Sequence, residues 1–186
     1  MTYRISFPLL ALLRPQRVLV VAVAVVTAVL ACSDKSKSGG SNAGITEPSF
    51  TLASGFVGTP VSRGNLGTFH IQSKDAHYDV ELKSHDNTDI VVTNIAIAPG
   101  GHSGWHFHPG PVLVTVKTGT VTFYMGDDPS CTAHVHPTGT TFFESGGMVG
   151  IARNEGATEA TVTAVFFVPA GSPTRIDAPA PGNCAF

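Results

Sequence analysis

The sequence predicts an all-β domain, a sandwich or small barrel, on three observations. Val, Thr and Phe alternate through the second half of the chain, as in strands with one buried face. Past residue 50 no long segment repeats its apolar residues at the helical period. The 20 Gly and 13 Pro divide the chain into short runs, which is the turn spacing of all-β folds.

Ahead of this domain lies a targeting signal. Arg14 and Arg17 precede Val18–Ala31, fourteen residues without a charge. That is short for a membrane span and suits the apolar region of a signal peptide. The run ends Val29-Leu30-Ala31-Cys32 and passes into Ser33-Asp34-Lys35, which resembles a bacterial lipobox. The resemblance implies a signal peptide over 1–31, lipidation of Cys32 and a lipoprotein anchored to the cell membrane, where a stable anchor needs more than one acyl chain. An uncleaved signal anchor, or secretion after cleavage elsewhere, are the alternatives. Each places the folded part outside the cytoplasm. Residues 32–47, with the polar stretch Ser33–Gly44, read as a flexible linker. The barrel is expected over 48–178 and a tail over 179–186.

Within the domain, Phe56–Val61, Gly67–Gln72 and Tyr78–Lys83 read as short strands split by Gly, Asn and Asp. Ile90–Ala98 is longer and is closed by Pro99-Gly100-Gly101. Gly104–His108, Val112–Lys117 and Val121–Met125 follow, then a loop of turn formers, Gly126-Asp127-Asp128-Pro129-Ser130. Thr132–His136, Thr140–Glu144, Met148–Arg153 and Ala160–Val168 complete the series. With the arginines of the leader set aside, eight basic and thirteen acidic residues remain and no basic cluster is left. Nucleic acid is thereby excluded as an expected partner. No nucleophile triad, phosphate-cradling loop or dinucleotide fingerprint is visible.

Two histidines carry the chemistry. His106 and His108 stand two apart on a strand pattern, so both imidazoles face one side and can reach one point, as ligands of a divalent transition metal must. Two ligands are too few for a stable site. The candidates to complete it are His102, four residues earlier; His134 and His136, a second His-x-His; and Glu144, at the end of a strand. The other reading of His106 and His108 is a pair of hydrogen-bonding groups in a metal-free pocket. His134 and His136 read as exposed strand residues, and His70, His77 and His85 as surface residues. Trp105 and Phe107 alternate with the site histidines and should pack outward, against an N-terminal strand or a partner subunit.

Two cysteines remain after Cys32. In an oxidising compartment Cys131 and Cys184 are expected to form a disulfide that staples the tail to the domain. The alternative is two free thiols, with Cys131 near His134 as a metal ligand.

Gly100, His106, His108, Val112 and Gly119 fall at the spacings of the first motif of the cupin superfamily, which the chain resembles. Gly139, Ser145-Gly146-Gly147, Gly150 and Asn154 fit the spacing of the second motif. The wording around them is similar to small secreted bacterial cupin-domain proteins. The resemblance implies a single jelly-roll or double-stranded β-helix barrel with a metal in its mouth, on three His and one Glu. Here Val112 stands at the Glu position and Gly150 at that of the third His. Val112, Val114 and Gly150 would then belong to a pocket lining that is more apolar than usual. The implied function is binding of a metal (Fe, Mn, Ni or Zn), a small organic ligand, or both. The enzymatic alternative is a metal-dependent oxygenase or lyase/isomerase acting on a small polar molecule. A homodimer joined through an N-terminal strand, common in that family, stays open.

Overall fold

The computed structural model of the protein describes residues 50–186. The expected signal segment, Cys32 and the linker lie outside them. The described residues form ten strands and no helix: β1 (Ser54–Lys74), β2 (Asp79–His102), β3 (His106–Phe107), β4 (Val112–Thr118), β5 (Thr120–Met125), β6 (His134–Pro137), β7 (Thr141–Glu144), β8 (Gly150–Arg153), β9 (Ala160–Pro169) and β10 (Ile176–Asp177). The sheet runs β10-β3-β8-β2-β9-β4-β7, with β1 added to β2, β5 to β8 and β6 to β5. This is an antiparallel β-barrel, all-β as the sequence predicts.

Strand parity builds the interior. Val112, Val114 and Val116 are buried, while Leu113, Thr115 and Lys117 between them are exposed. On β9 the inward set is Val162, Ala164, Phe166 and Val168, and on β7 it includes Phe142. Each fully buried valine contributes about 1.5–3 kcal/mol relative to an exposed one. The inward rows of β4 and β9 also lie in register, Val112 opposite Phe166 and Val114 opposite Ala164, so apolar faces meet rung by rung.

The first four expected strands are in fact two long ones, paired along most of their length from Ser54↔His102 to Lys74↔Asp79. The Gly and Asn residues expected to end strands are absorbed as register shifts, between Pro60 and Ser62, Asn65 and Gly67, and Gly67 and Phe69. Among the described residues β1 pairs with β2 alone, and an outer strand tolerates bulges and proline that an inner one does not. Beyond Thr88, where pairing of β2 with β9 ends, the hairpin continues as a two-stranded arm carrying exposed Ile71, Tyr78 and Leu82. Asp89 clamps its base. The carboxylate accepts from Arg63 Nε at 2.7 Å, Asn65 Nδ2 at 2.8 Å and the Gly171 amide at 3.0 Å. The Gly171 amide, then Asn65 and Arg63, hold Asp89 down from 3.8 to about 2.

Gly104–His108 is also shorter as a strand than expected; only His106 and Phe107 pair. Gly104 has φ +69° and lies so close to the Thr51 carbonyl that any Cβ would collide with it. Trp105 does point away from the barrel interior, and its cover comes from another part of the chain than an N-terminal strand. It is buried beside Tyr124 and Ile151, with Cys131, Val149 and Cys184 against them. Phe186 stacks parallel to it, with ring centroids 6.4 Å apart. The C-terminal strap thus supplies the cover. It pairs through β10 with β3, the Ala178 amide donates to the Trp105 carbonyl at 3.0 Å, and a Cys131–Cys184 disulfide fixes its end.

Candidate metal centre

His106 and His108 line the barrel cavity, 6 % and 5 % exposed, with ring centroids 4.8 Å apart and nearly perpendicular. Each ring is oriented by a backbone carbonyl. His106 Nδ1 donates to Gly104 O at 2.9 Å, and His108 Nδ1 donates to Thr174 O at 2.5 Å. A carbonyl can only accept, so both Nδ1 atoms carry the hydrogen and both Nε2 atoms are left to the site. Metal-ligating histidines are held in this way. Burial first, then the charges of Arg175 and His108, push His106 down from 6.5 to about 3, against the Gly104 bond and Asp177. It is therefore neutral at ordinary pH, as a ligand must be.

The third group comes from β7. Glu144 is directly opposite Val112, the next rung across from the position where a carboxylate was missing. Along Thr141-Phe142-Phe143-Glu144 exposure alternates out, in, out, in, so Glu144 shares the inward face of Phe142 and is only 7 % exposed. Its Oε2 is 3.2 Å from His108 Nε2. The ligand atoms of His106, His108 and Glu144 all lie within 4.8 Å of one another. Two donors on one ion with bonds near 2.1 Å are about 3 Å apart, the separation His108 and Glu144 already have. With the Nδ1 hydrogen tied to Thr174 O, His108 turns Nε2 toward a carboxylate oxygen, one acceptor facing another. Two such acceptors are held together only by a proton or a cation between them. Two imidazoles and a carboxylate fit a divalent transition ion with open positions.

The other expected ligands are not brought to this point. His102 is half-buried; its Nδ1 accepts from the Gly104 amide at 3.2 Å. His134 and His136 are half-buried on β6 rather than exposed, because both face inward while Val135 between them faces out. His136 stacks on Phe142 with centroids 4.1 Å apart. At the position implied for the third histidine, Gly150 pairs with His106, and its absent Cβ would fall 2.2 Å from the tip of the Phe123 ring. An aromatic side chain has taken that space. Asn154 is fully buried and fixes the turn after β8, donating to Ile97 O and Thr158 O, both at 2.8 Å.

The three groups open onto a cavity of about 290 Å³ inside the barrel. Val112 and Val114 line it; Gly150 does not. Sequence reasoning missed two contributors, the Thr174 carbonyl that orients His108 and Arg175 on the cavity wall. Both belong to the strap, and no side-chain pattern marks a carbonyl.

No family model matches the chain, and no curated protein matches it. Among solved structures it is similar to a Klebsiella pneumoniae protein with a double-stranded β-helix domain (20 % identity, 64 % of this chain and 84 % of that one, TM-score 0.42). It is also similar to a cupin superfamily protein from Desulfitobacterium hafniense (7 % identity, 61 % and 77 % covered, TM-score 0.42). A third is oxalate oxidase in complex with glycolate (23 % identity, 47 % and 45 % covered, TM-score 0.41). None of these likenesses bears on what this chain binds.

Proposed function

We propose that this chain is a metal-binding cupin-domain protein, with His106, His108 and Glu144 holding a divalent transition ion (Fe, Mn, Ni or Zn) below a pocket for a small organic ligand. One observation carries the reading: two oriented imidazoles and a buried carboxylate converge with their acceptor atoms facing one another. The ion would supply Lewis acidity at the cavity wall. The histidines would hold position through their carbonyl partners, and Glu144 would offset part of the positive charge. A catalytic version, an oxygenase or lyase/isomerase, is supported by the number of ligands. Three protein groups leave coordination positions open, and the 290 Å³ cavity is there to fill them.

The same proposal places the protein outside the cytoplasm, lipid-anchored at Cys32 as a signal-bearing lipoprotein. The Cys131–Cys184 disulfide supports an oxidising compartment, and the lipobox-like Leu30-Ala31-Cys32 supports the anchor. Elemental analysis of protein purified without chelator tests the metal. About one equivalent is expected, falling by tenfold or more in affinity for Glu144→Gln. Less than about a tenth of an equivalent after metal soaking ends the reading. Loss of labelled-palmitate incorporation in Cys32→Ser tests the anchor.

A further inference from the structure

We infer that the cavity takes a small monocarboxylic acid with a compact apolar body, a single aromatic ring or a branched aliphatic chain. The inference deepens the metal reading and rests on it.

Size comes first. A cavity of about 290 Å³ is at the small end of the ~300–1,000 Å³ range of organic-ligand pockets, so the body is compact. Composition comes next. Ile95, Ile97, Val114, Phe142, Val162 and Phe166 form the walls, and a second charged group buried against them would go unpaired at large cost. A diacid is thereby disfavoured. The ionisable groups of the lining are few: His106, His108 and Glu144, which converge on one point, and Arg175.

Charge then selects the head group. With Nδ1 donating to a carbonyl and Nε2 turned to the ion, each imidazole would bind as a neutral ligand, and Glu144 would offset one of a divalent ion's two charges. Arg175 is paired with Asp177, through Nε at 2.7 Å and an Nη at 2.6 Å. Both contacts go to one carboxylate oxygen, Oδ1, which leaves other N–H groups of the five on the guanidinium for a ligand. With the ion bound, one positive charge would therefore remain at the site. A monoanion neutralises it, and a carboxylate suits both an open metal position and the fork of an arginine. The Asp177 side chain is 50 % exposed, so water screens its hold on Arg175.

The test uses the full chain, loaded with zinc and assayed for zinc content, then titrated by calorimetry with phenylacetate, phenylacetamide and acetate. Phenylacetamide keeps the body and removes the charge; acetate keeps the charge and removes the body. Phenylacetate is expected to bind at least about tenfold more tightly than either. Arg175→Gln is expected to weaken phenylacetate about tenfold with zinc content unchanged. The comparison of the three probes on the parent protein needs no variant and stands if Arg175→Gln fails to fold. Zinc retained with phenylacetamide or acetate bound as tightly as phenylacetate overturns this inference alone. Protein that retains no zinc overturns it together with the metal reading.

Discussion

The chain contains His-x-His twice, and the two copies differ in nearly everything but sequence. At His106 and His108 each Nδ1 is tied to a carbonyl, the rings are buried, and a carboxylate faces them from the opposite strand. At His134 and His136 there is no such frame. His134 Nε2 is buried without a hydrogen-bond partner, and His136 lies flat on Phe142. Both pairs satisfy the rule that residues two apart on a strand share a face. What separates a ligand pair from a packing pair is the set of groups behind and opposite the rings, contributed by segments far away in sequence.

The largest expected effect follows from this contrast. His106→Ala with His108→Ala should abolish metal binding, while His134→Ala with His136→Ala should leave its stoichiometry unchanged. Elemental analysis of both double variants checks the pair. Equal loss from the two would erase the distinction drawn between them.

How much of this was legible in the sequence follows from the same contrast. The fold was readable because parity is local: the inward row of Val112, Val114 and Val116 is written in consecutive residues. His106 and His108 were readable for the same reason. Glu144 could be named as a candidate, yet its inward direction depends on Phe142 facing in, and its height depends on register with Val112. Register between strands some thirty residues apart is not a local property. The Thr174 carbonyl and Arg175 depend on where the strap docks. The exchange of a third histidine for Phe123 against Gly150 involves strands β5 and β8, and only their pairing shows it. The merging of short strands into β1 and β2 escaped because Gly and Asn mark bulges as readily as ends.

The strap sharpens the comparison, since it is what gives His108 its carbonyl. Cys131→Ser with Cys184→Ser opens a closure spanning 53 residues and should lower stability by about 2–4 kcal/mol, read by denaturant unfolding. The pairing of β10 with β3 remains, so metal affinity should fall by much less than with the histidine variants. If it is lost altogether, the disulfide rather than β10 sets the His108 geometry. A somewhat smaller effect is expected at Gly150. Gly150→Ala sets a methyl group against Phe123 and should cost about 1–3 kcal/mol by overpacking. Phe123→Leu should relieve part of that cost in a double-mutant cycle. Additive losses would mean that the ring does not fill the space beside Gly150.

The smallest expected effect tests whether the second pair is packing alone, and it is a pH effect. Burial first, then His134, lower the pKa of His136 below 6.5, against Glu144. Between 6.5 and that lowered value the unfolded chain binds a proton that the folded chain refuses. Stability therefore rises with pH across this window and is lost as pH falls through it. Asp89, lowered from 3.8 to about 2, and His106, lowered from 6.5 to about 3, give slopes of the same sign, but parent and His136 variant share both, so their difference isolates His136. His136→Phe keeps an aromatic face on Phe142 and removes the titrating group. With chelator present to silence the metal site, its acid-unfolding curve should be flatter just below pH 6.5 than that of the parent. An unaltered slope below 6.5 would mean that His136 accepts its proton in the folded state. Its ring would then be available to solvent or to an ion, and the line between the two pairs would have to be redrawn.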